Sequence, residues 1–302
     1  MTDSVHPHMP IAKKLTRSFF RTSSSARSLS PALSVVLVLP LLAVFAFGFI
    51  YPVARLVALS FSGFTLAQYR RLLEVPLYMD VFAGTLFVAL VVMLSCLVLG
   101  FPVALAMARV KNRTTVLIGA CVVIPLWTSV LIRTYAWIVL LQRNGIVNSL
   151  MVSTGIFDKP LTMIHTQGAV ILAMTHVLLP YMILPIYAVL RTLPADYARA
   201  ARNLGAGPVR AFLTVTLPLS LPGVFAGCVM CFVLALGFYI TPALVGGPGS
   251  MMISTLIGQQ TTVLMDWPFA AALATVLLII TLALVFLFRK TLSFSRGLHS
   301  VA

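Results

Sequence analysis

The chain has 302 residues, 60% of them hydrophobic and only 9% charged, with a mean hydropathy of +1.06. Soluble domains run near ~45–50% apolar and ~25% charged, so this chain has too few charges to coat a soluble globule. A soluble enzyme, a disordered chain and a disulfide-stapled secreted domain are excluded, and an integral membrane protein remains; the formal net charge of +15 is explained below by its distribution.

Residues 1–31 form a basic, Ser-rich arm that contains RTSSSARSLS. Six apolar stretches follow, at about 32–54, 82–106, 115–138, 168–190, 218–243 and 269–288. Each approaches the ~20 residues that a helix needs to cross a bilayer. Continuous apolar runs of this kind satisfy their backbone in lipid as helices, so the expected fold is all-α and polytopic, with six transmembrane helices over 32–288 and a tail at 289–302. The first run continues past Pro52 without a small-residue cleavage site, and an uncleaved anchor is expected. Pro222, Gly223, Gly237 and Pro242 punctuate the fifth run, which predicts a bend or tilt there.

The segments 139–167 and 246–268 read as loops, with Asn144-Gly145 as a turn and Trp267 at a membrane–water boundary. The cysteines Cys96, Cys121, Cys228 and Cys231 all lie in apolar runs. Cys228 and Cys231 have redox-motif spacing, but on a membrane helix they read as two small apolar residues on one face.

The basic residues are unevenly shared. The arm, the loop around Arg109–Arg113, the loop 191–217 and the tail together carry 15 Lys and Arg. The other side carries six: Arg55, Arg70, Arg71, Arg133, Arg143 and Lys159. By the positive-inside rule both termini and the 191–217 loop are expected in the cytoplasm. The same asymmetry accounts for most of the basicity, and no nucleic-acid partner is expected.

Chemistry-bearing motifs are missing. No lysine follows a glycine, so there is no GxxxxGK[ST] phosphate loop, and there is no HExxH. The acids are Asp3, Glu74, Asp80, Asp158, Asp196 and Asp266, and none lies deep in a span. General acid–base catalysis inside the membrane has no pair to work with, and no metal site is expected.

The loop LPADYARAARNLGAGPVRAFLTVTLPLSLPG, residues 193–223, is the most informative stretch. Pro194 suits the first turn of a short helix and Gly205 a left-handed stop. Tyr197, Ala200, Ala201 and Leu204 recur at i, i+3, i+4 and i+7 and give one apolar face, with Arg199 and Arg202 elsewhere and Asp196 within reach of Arg199. Pro208 can open a second helix leading into the fifth span. Periodicity alone fits two uses: insertion into a groove on another protein, or an amphipathic helix on the lipid surface.

This loop resembles the signature of permease subunits of bacterial binding-protein-dependent ABC importers, which runs Glu-Ala-Ala, three residues, Gly, nine residues, Ile-x-Leu-Pro. Here it reads Arg199-Ala200-Ala201, then Gly205, then Val215-Thr216-Leu217-Pro218, with every spacing kept. Arg199 stands where Glu is usual, and Val215 replaces Ile. The resemblance implies the type I ABC importer (MetI-like) permease fold in a bacterial inner membrane. It also implies that Tyr197, Arg199, Ala200, Ala201, Leu204, Gly205, Leu217 and Pro218 couple the chain to a cytoplasmic ATPase. The implied partners are an ABC ATPase dimer, a second homologous permease and an extracytoplasmic solute-binding protein, besides the lipid bilayer. No cofactor is implied in this chain; ATP and Mg would be used by the ATPase. PLWTSVLIRTYAW (125–137), LLPYMILPIYAVL (178–190) and ITPALVGGPGSMMISTLIGQQ (240–260) are similar to permeases of the spermidine/putrescine importer subfamily. That similarity implies a small, amine-bearing solute.

For the solute pathway, Pro125, Pro180, Pro185 and Pro242 are expected to interrupt spans, and freed backbone groups of this kind line cavities. Trp127, Tyr135, Trp137, Tyr181 and Tyr239 lie near them and could hold an amine by cation–π attraction, or could equally be interfacial and packing aromatics. His176 lies mid-span, and Arg133 is expected to snorkel outward. Two other classes stand beside the importer. A secondary transporter needs its own ion site, and a membrane-embedded enzyme needs a catalytic constellation; the sequence offers neither.

Overall fold

The structure, a computed structural model, describes residues 31–61, 65–110 and 112–299, and every regular element among them is helical. The basic arm lies outside the described residues except for Pro31. The chain divides into two compact units, Met1–Ala54 and Arg55–Ala302. The described part of the first is α1 (Pro31–Phe45), a π-helical turn, Ala46–Ile50, and the opening residues of α2 (Tyr51–Ser60), which from Arg55 onward counts with the second. The second unit contains all the remaining helices.

Among the described residues five helices are long and apolar enough to cross a membrane: Val35–Ser60, Pro76–Arg109, Gln167–Thr192, Pro208–Leu236 and Trp267–Phe288. The sixth is a broken pair, Arg113–Trp127 and Val130–Ser153, bent by 100°. The six apolar runs are therefore all present, with the third broken rather than straight. Its two arms are α5 (Asn112–Trp127) and α6 (Val130–Leu141), followed by α7 (Ile146–Ser153). Ser129 makes the break: its extended backbone ends one arm, and its side chain accepts a hydrogen bond from the Leu131 N–H at the start of the next.

The centre of the second unit is formed by α4 (Pro76–Arg109), α8 (Gln167–Thr192) and α11 (Leu217–Leu236). Met174, Leu178, Met182, Ile183 and Ile186 of α8 are buried between Val88 and Val92 of α4 and Cys231 and Phe232 of α11. Lipid tails are as apolar as these side chains, so close contact rather than escape from water holds such helices together. Gly223 shows how close: a β-carbon there would lie 2.8 Å from the Pro185 carbonyl oxygen and 3.0 Å from the Ile186 Cα. Cys228 and Cys231 are buried and free, and the Cys231 thiol donates to the Leu178 carbonyl at 3.5 Å.

Four expectations need correction. Pro180 and Pro185 do not interrupt the fourth span; both lie inside the continuous helix α8. The fifth span ends at Leu236, and Pro242 belongs to a separate short helix, α12 (Ile240–Val245). The 246–268 segment is not simply a loop, because it contains α13 (Ile253–Thr262), whose Ile253 and Leu256 are buried; likewise α7 occupies part of 139–167. Mixed polarity in STLIGQQTT hides the helix from hydropathy, while the Ile253 N–H donating to Thr85 Oγ1 at 2.9 Å anchors it. The last helix, α14 (Trp267–His299), continues through the expected tail.

The molecule has two ends. One gathers the end of α4, the end of α8 and the 193–217 loop. The other gathers α3 (Ala67–Glu74), α7, α12, α13 and the start of α14.

Candidate coupling and translocation sites

The 193–217 loop folds as α9 (Ala195–Asn203), then α10 (Pro208–Ala211) and a π-helical turn, Phe212–Thr216, that feeds α11. Pro194 caps α9 in an extended conformation, and Asp196 sits in the first turn, where helix-end charge favours an acid. The helix stops as the glycine predicts. Gly205 has φ +84, its N–H donates to the Arg202 carbonyl at 2.9 Å, and the Ala206 N–H donates to the Ala201 carbonyl at 3.0 Å. These paired bonds are a Schellman stop, which needs the left-handed residue that glycine supplies most cheaply.

The apolar face read from the sequence is on α9 and is open. Leu204 is 90% exposed and Tyr197 53%, Ala200 is exposed and Ala201 half-buried. Leu217 is half-buried at the start of α11 and Pro218 exposed beside it. Arg199 and Arg202 lie off that face and line a cavity of about 520 Å³ between α9 and the ends of the spans, which Tyr197 also borders. Arg199 pairs with Asp196 at 3.3 Å, both side chains largely in the open.

The expected pathway residues divide. Trp137 Nε1 donates to His176 Nδ1 at 3.2 Å, and the two rings meet edge to face at 5.8 Å, joining α6 to α8. Arg133 lies on α6 with Trp137, and Tyr181 on α8 with His176. Arg133 is half-buried, and its Nε and Nη1 are enclosed and meet no acceptor among the described residues. Trp127, at the break, is 89% exposed and Tyr135 57%, and neither has an aromatic partner among the described residues. Tyr239 instead packs over α13, where a β-carbon on Gly258 would fall 2.5 Å from its ring.

Pro180 and Pro185 matter in another way. Each lacks the N–H that a helix offers to the carbonyl four residues earlier, here those of His176 and Tyr181. The cluster therefore combines aromatic rings with two backbone acceptors that lack their usual helical donor. Sequence reading identified the prolines but not this pairing, although the i, i+4 spacing was there to read.

At the opposite end the sequence reading passed over several polar ties. Thr134 and Thr241 hydroxyls meet at 2.9 Å between α6 and α12. Asn148, 1% exposed, donates to the Gln142 and Leu161 carbonyls and accepts from the Leu161 N–H, closing the loop after the Asn144-Gly145 turn. Arg71 and Asp266 pair at 2.8 Å, and this hydrogen bond raises the Arg71 pKa further above its ordinary value.

The model of the family described as "binding-protein-dependent transport system inner membrane component" matches residues 98–292. The chain is 36% identical over 217 residues to the spermidine/putrescine transport system permease protein PotB of Escherichia coli K12, covering 72% of this chain and 78% of that protein. It is 35% identical over 241 residues to the inner membrane ABC transporter permease protein YdcU of the same organism, covering 76% of each. A solved bacterial alginate ABC transporter in complex with an alginate pentasaccharide-bound periplasmic protein has a chain of the same fold, with a TM-score of 0.69 at 17% identity, covering 85% of this chain and 92% of that one. The protein belongs to this family: it is a membrane-spanning permease subunit of a binding-protein-dependent ABC importer, through which solute moves inward.

Proposed function

We propose that the solute is a small amine of the polyamine kind. The observation that carries this reading is the α6–α8 contact, in which the Trp137 ring meets His176, one of two α8 residues (with Tyr181) whose carbonyls lack a helical donor. Aromatic faces and carbonyl oxygens are what an ammonium group seeks when carboxylates are absent. The sequence similarity to the E. coli spermidine/putrescine permease points the same way. Arg133 works against a polycation at this depth, and the compensating carboxylate is assigned to the second permease.

In the same reading both termini and the 193–217 loop face the cytoplasm, where an ATPase dimer supplies the energy through ATP and Mg that this chain does not itself bind. The open face of Tyr197, Ala200, Ala201 and Leu204, ended by Gly205, docks in the ATPase. Arg199, Leu217 and Pro218 flank the contact. An exposed apolar stripe of this size suits a groove on a partner, the helix-in-groove mode. An extracytoplasmic binding protein delivers solute at the opposite end.

The test is uptake of labelled putrescine and spermidine by the transporter reconstituted with its ATPase and binding protein. Saturable uptake of either, abolished by Ala201→Glu in a chain that still inserts in the membrane, is expected. A charge forced into the groove unpaired costs several kcal/mol. Uptake by Ala201→Glu at the wild-type rate would overturn the docking role, and the absence of polyamine uptake would overturn the substrate.

A further inference from the structure

The Arg133 guanidinium is unanswered within the described chain, since its enclosed Nε and Nη1 meet no acceptor there. No acid is at hand to serve it. Glu74, Asp196 and Asp266 are already paired with Arg70, Arg199 and Arg71, and Asp80 and Asp158 are exposed. A second copy of this chain would bring no acid inside an apolar run either. Enclosed donors without an acceptor are costly, so an anionic group from outside the chain has a place there.

The packing of α6 on α8 shows what surrounds that place. Arg133 is one helical turn before Trp137, so the two side chains share a face of α6. Leu141 and Ala169 belong to one buried cluster, whereas Trp137, a turn earlier on α6, meets His176, further along α8. The two helices therefore run in opposite directions, and another turn back along α6 carries Arg133 toward the Pro180–Tyr181 turn of α8. On that stretch the carbonyls of His176 and Tyr181 lack their helical donors, because Pro180 and Pro185 have no N–H. The break at Ser129 starts α6 within the third apolar run, so the positive end of that helix lies within a turn of Arg133.

This contact offers free donors on α6 and free acceptors with an aromatic ring on α8. Its complement is a solute that carries both an ammonium group and a carboxylate. We propose that Arg133 receives a carboxylate of the solute, so that the transported class extends from polyamines to amino acids whose amine stands a few carbons from the acid. The ammonium group then falls to the Trp137 ring and the α8 carbonyls. Arginine suits the other end because its planar fork matches a carboxylate in geometry and charge. The proposal rests on the α6–α8 amine site of the proposed function and deepens it: a solute that brings its own carboxylate needs none from the second permease.

The experiment is uptake of labelled 4-aminobutanoate and of putrescine by the transporter reconstituted with its ATPase and binding protein. The two solutes differ at one end only, a carboxylate against an aminomethyl group. Wild type should take up 4-aminobutanoate saturably. At matched membrane abundance, Arg133→Gln should lower that uptake about tenfold or more, as expected for a lost hydrogen bond between charged groups. The same variant should raise putrescine uptake, because it removes a like charge. Arg133→Lys keeps the charge without the fork and should fall between wild type and Arg133→Gln for 4-aminobutanoate. Absence of 4-aminobutanoate uptake by wild type would overturn the proposal, as would undiminished uptake in Arg133→Gln. An equal loss of both solutes in Arg133→Gln would also overturn it and assign Arg133 to a carboxylate of the second permease. Uptake of putrescine alone would sink this inference and leave the polyamine reading standing; uptake of 4-aminobutanoate alone would do the reverse.

Discussion

Arg71 donates to Asp266 at 2.8 Å across 195 positions of sequence, and the same guanidinium lies 4.2 Å over the ring of Phe269. Asp266 also accepts from the Phe269 N–H at 3.2 Å, so one carboxylate caps α14 and ties it to α3. Phe269 in turn packs against Tyr78 of α4, the rings tilted by 57° with centroids 4.8 Å apart. One acid thus fixes where three helices meet at the end opposite the 193–217 loop.

Asp266→Ala removes the cap and the pair together, and a destabilisation of about 1–2 kcal/mol is expected. Asp266→Asn keeps an acceptor for the Phe269 N–H, so its cost should be smaller. Thermal unfolding of the purified variants in detergent, followed by size-exclusion chromatography, separates the two. Equal midpoints for Ala and Asn would mean that the cap contributes nothing.

The contact of α11 with α8 has no room at Gly223. Gly223→Val must push against the Pro185 carbonyl and the Ile186 backbone, which cannot move as a side-chain end could. Overpacking of this kind costs roughly 1–3 kcal/mol, and the yield of monodisperse protein should drop accordingly. Gly84→Ala is the comparison, since a β-carbon there meets nothing within 4 Å. A normal yield for Gly223→Val would show that the helices can part at no cost.

Gly205 holds a left-handed backbone, φ +84, with open space around its missing β-carbon. The restriction there is conformational rather than steric. Gly205→Asn should therefore preserve transport, whereas Gly205→Val should reduce it sharply, because a left-handed L-residue costs about 1–2 kcal/mol and asparagine least of the non-glycines. Comparing uptake rates at matched membrane abundance tests this. Asn and Val variants with the same rate would remove the Schellman stop from the argument.

Orientation can be read by thiol labelling in a functional background lacking the four native cysteines. Arg202, Ser153 and Gln259 are all exposed in the fold, so burial will not confuse the result. In intact cells, cysteine at Ser153 or Gln259 should react with an impermeant maleimide and cysteine at Arg202 should not. The reverse pattern would invert the positive-inside assignment.

Much of this architecture could be read from residues. Hydropathy located the six apolar runs that form the long helices and the broken pair, and the Ala200-Ala201-Gly205 spacing located the helix of the 193–217 loop and its left-handed end. The reading failed where a membrane-like composition covers a break. Apolar residues flank Thr128-Ser129 on both sides, so a window average passes straight over a 100° bend that a single serine cap creates. The reverse error occurred at α13, where threonines and glutamines look like loop but bury Ile253 and Gln260 against the bundle. Proline misled in both directions: α8 absorbs two, and the break beside Pro125 depends on Ser129. Side-chain neighbourhoods such as Trp137 with His176 need the packing of α6 on α8, which no local pattern specifies.

The π-helical turn at Phe212–Thr216 is the junction through which the loop enters span five. The Leu217 N–H reaches back five residues to the Phe212 carbonyl, and Pro218 has no N–H for the Thr214 carbonyl. A widened turn beside a proline is the softest section of a helical rod, because fewer intrahelical bonds resist bending there. Force applied to α9 therefore meets a compliant joint before it meets the stiff shaft of α11. The tight seating of Gly223 on α8 begins only five residues beyond Pro218. Bending between α9 and α11 is therefore expected to concentrate at this joint and to leave the seated part of α11 straight.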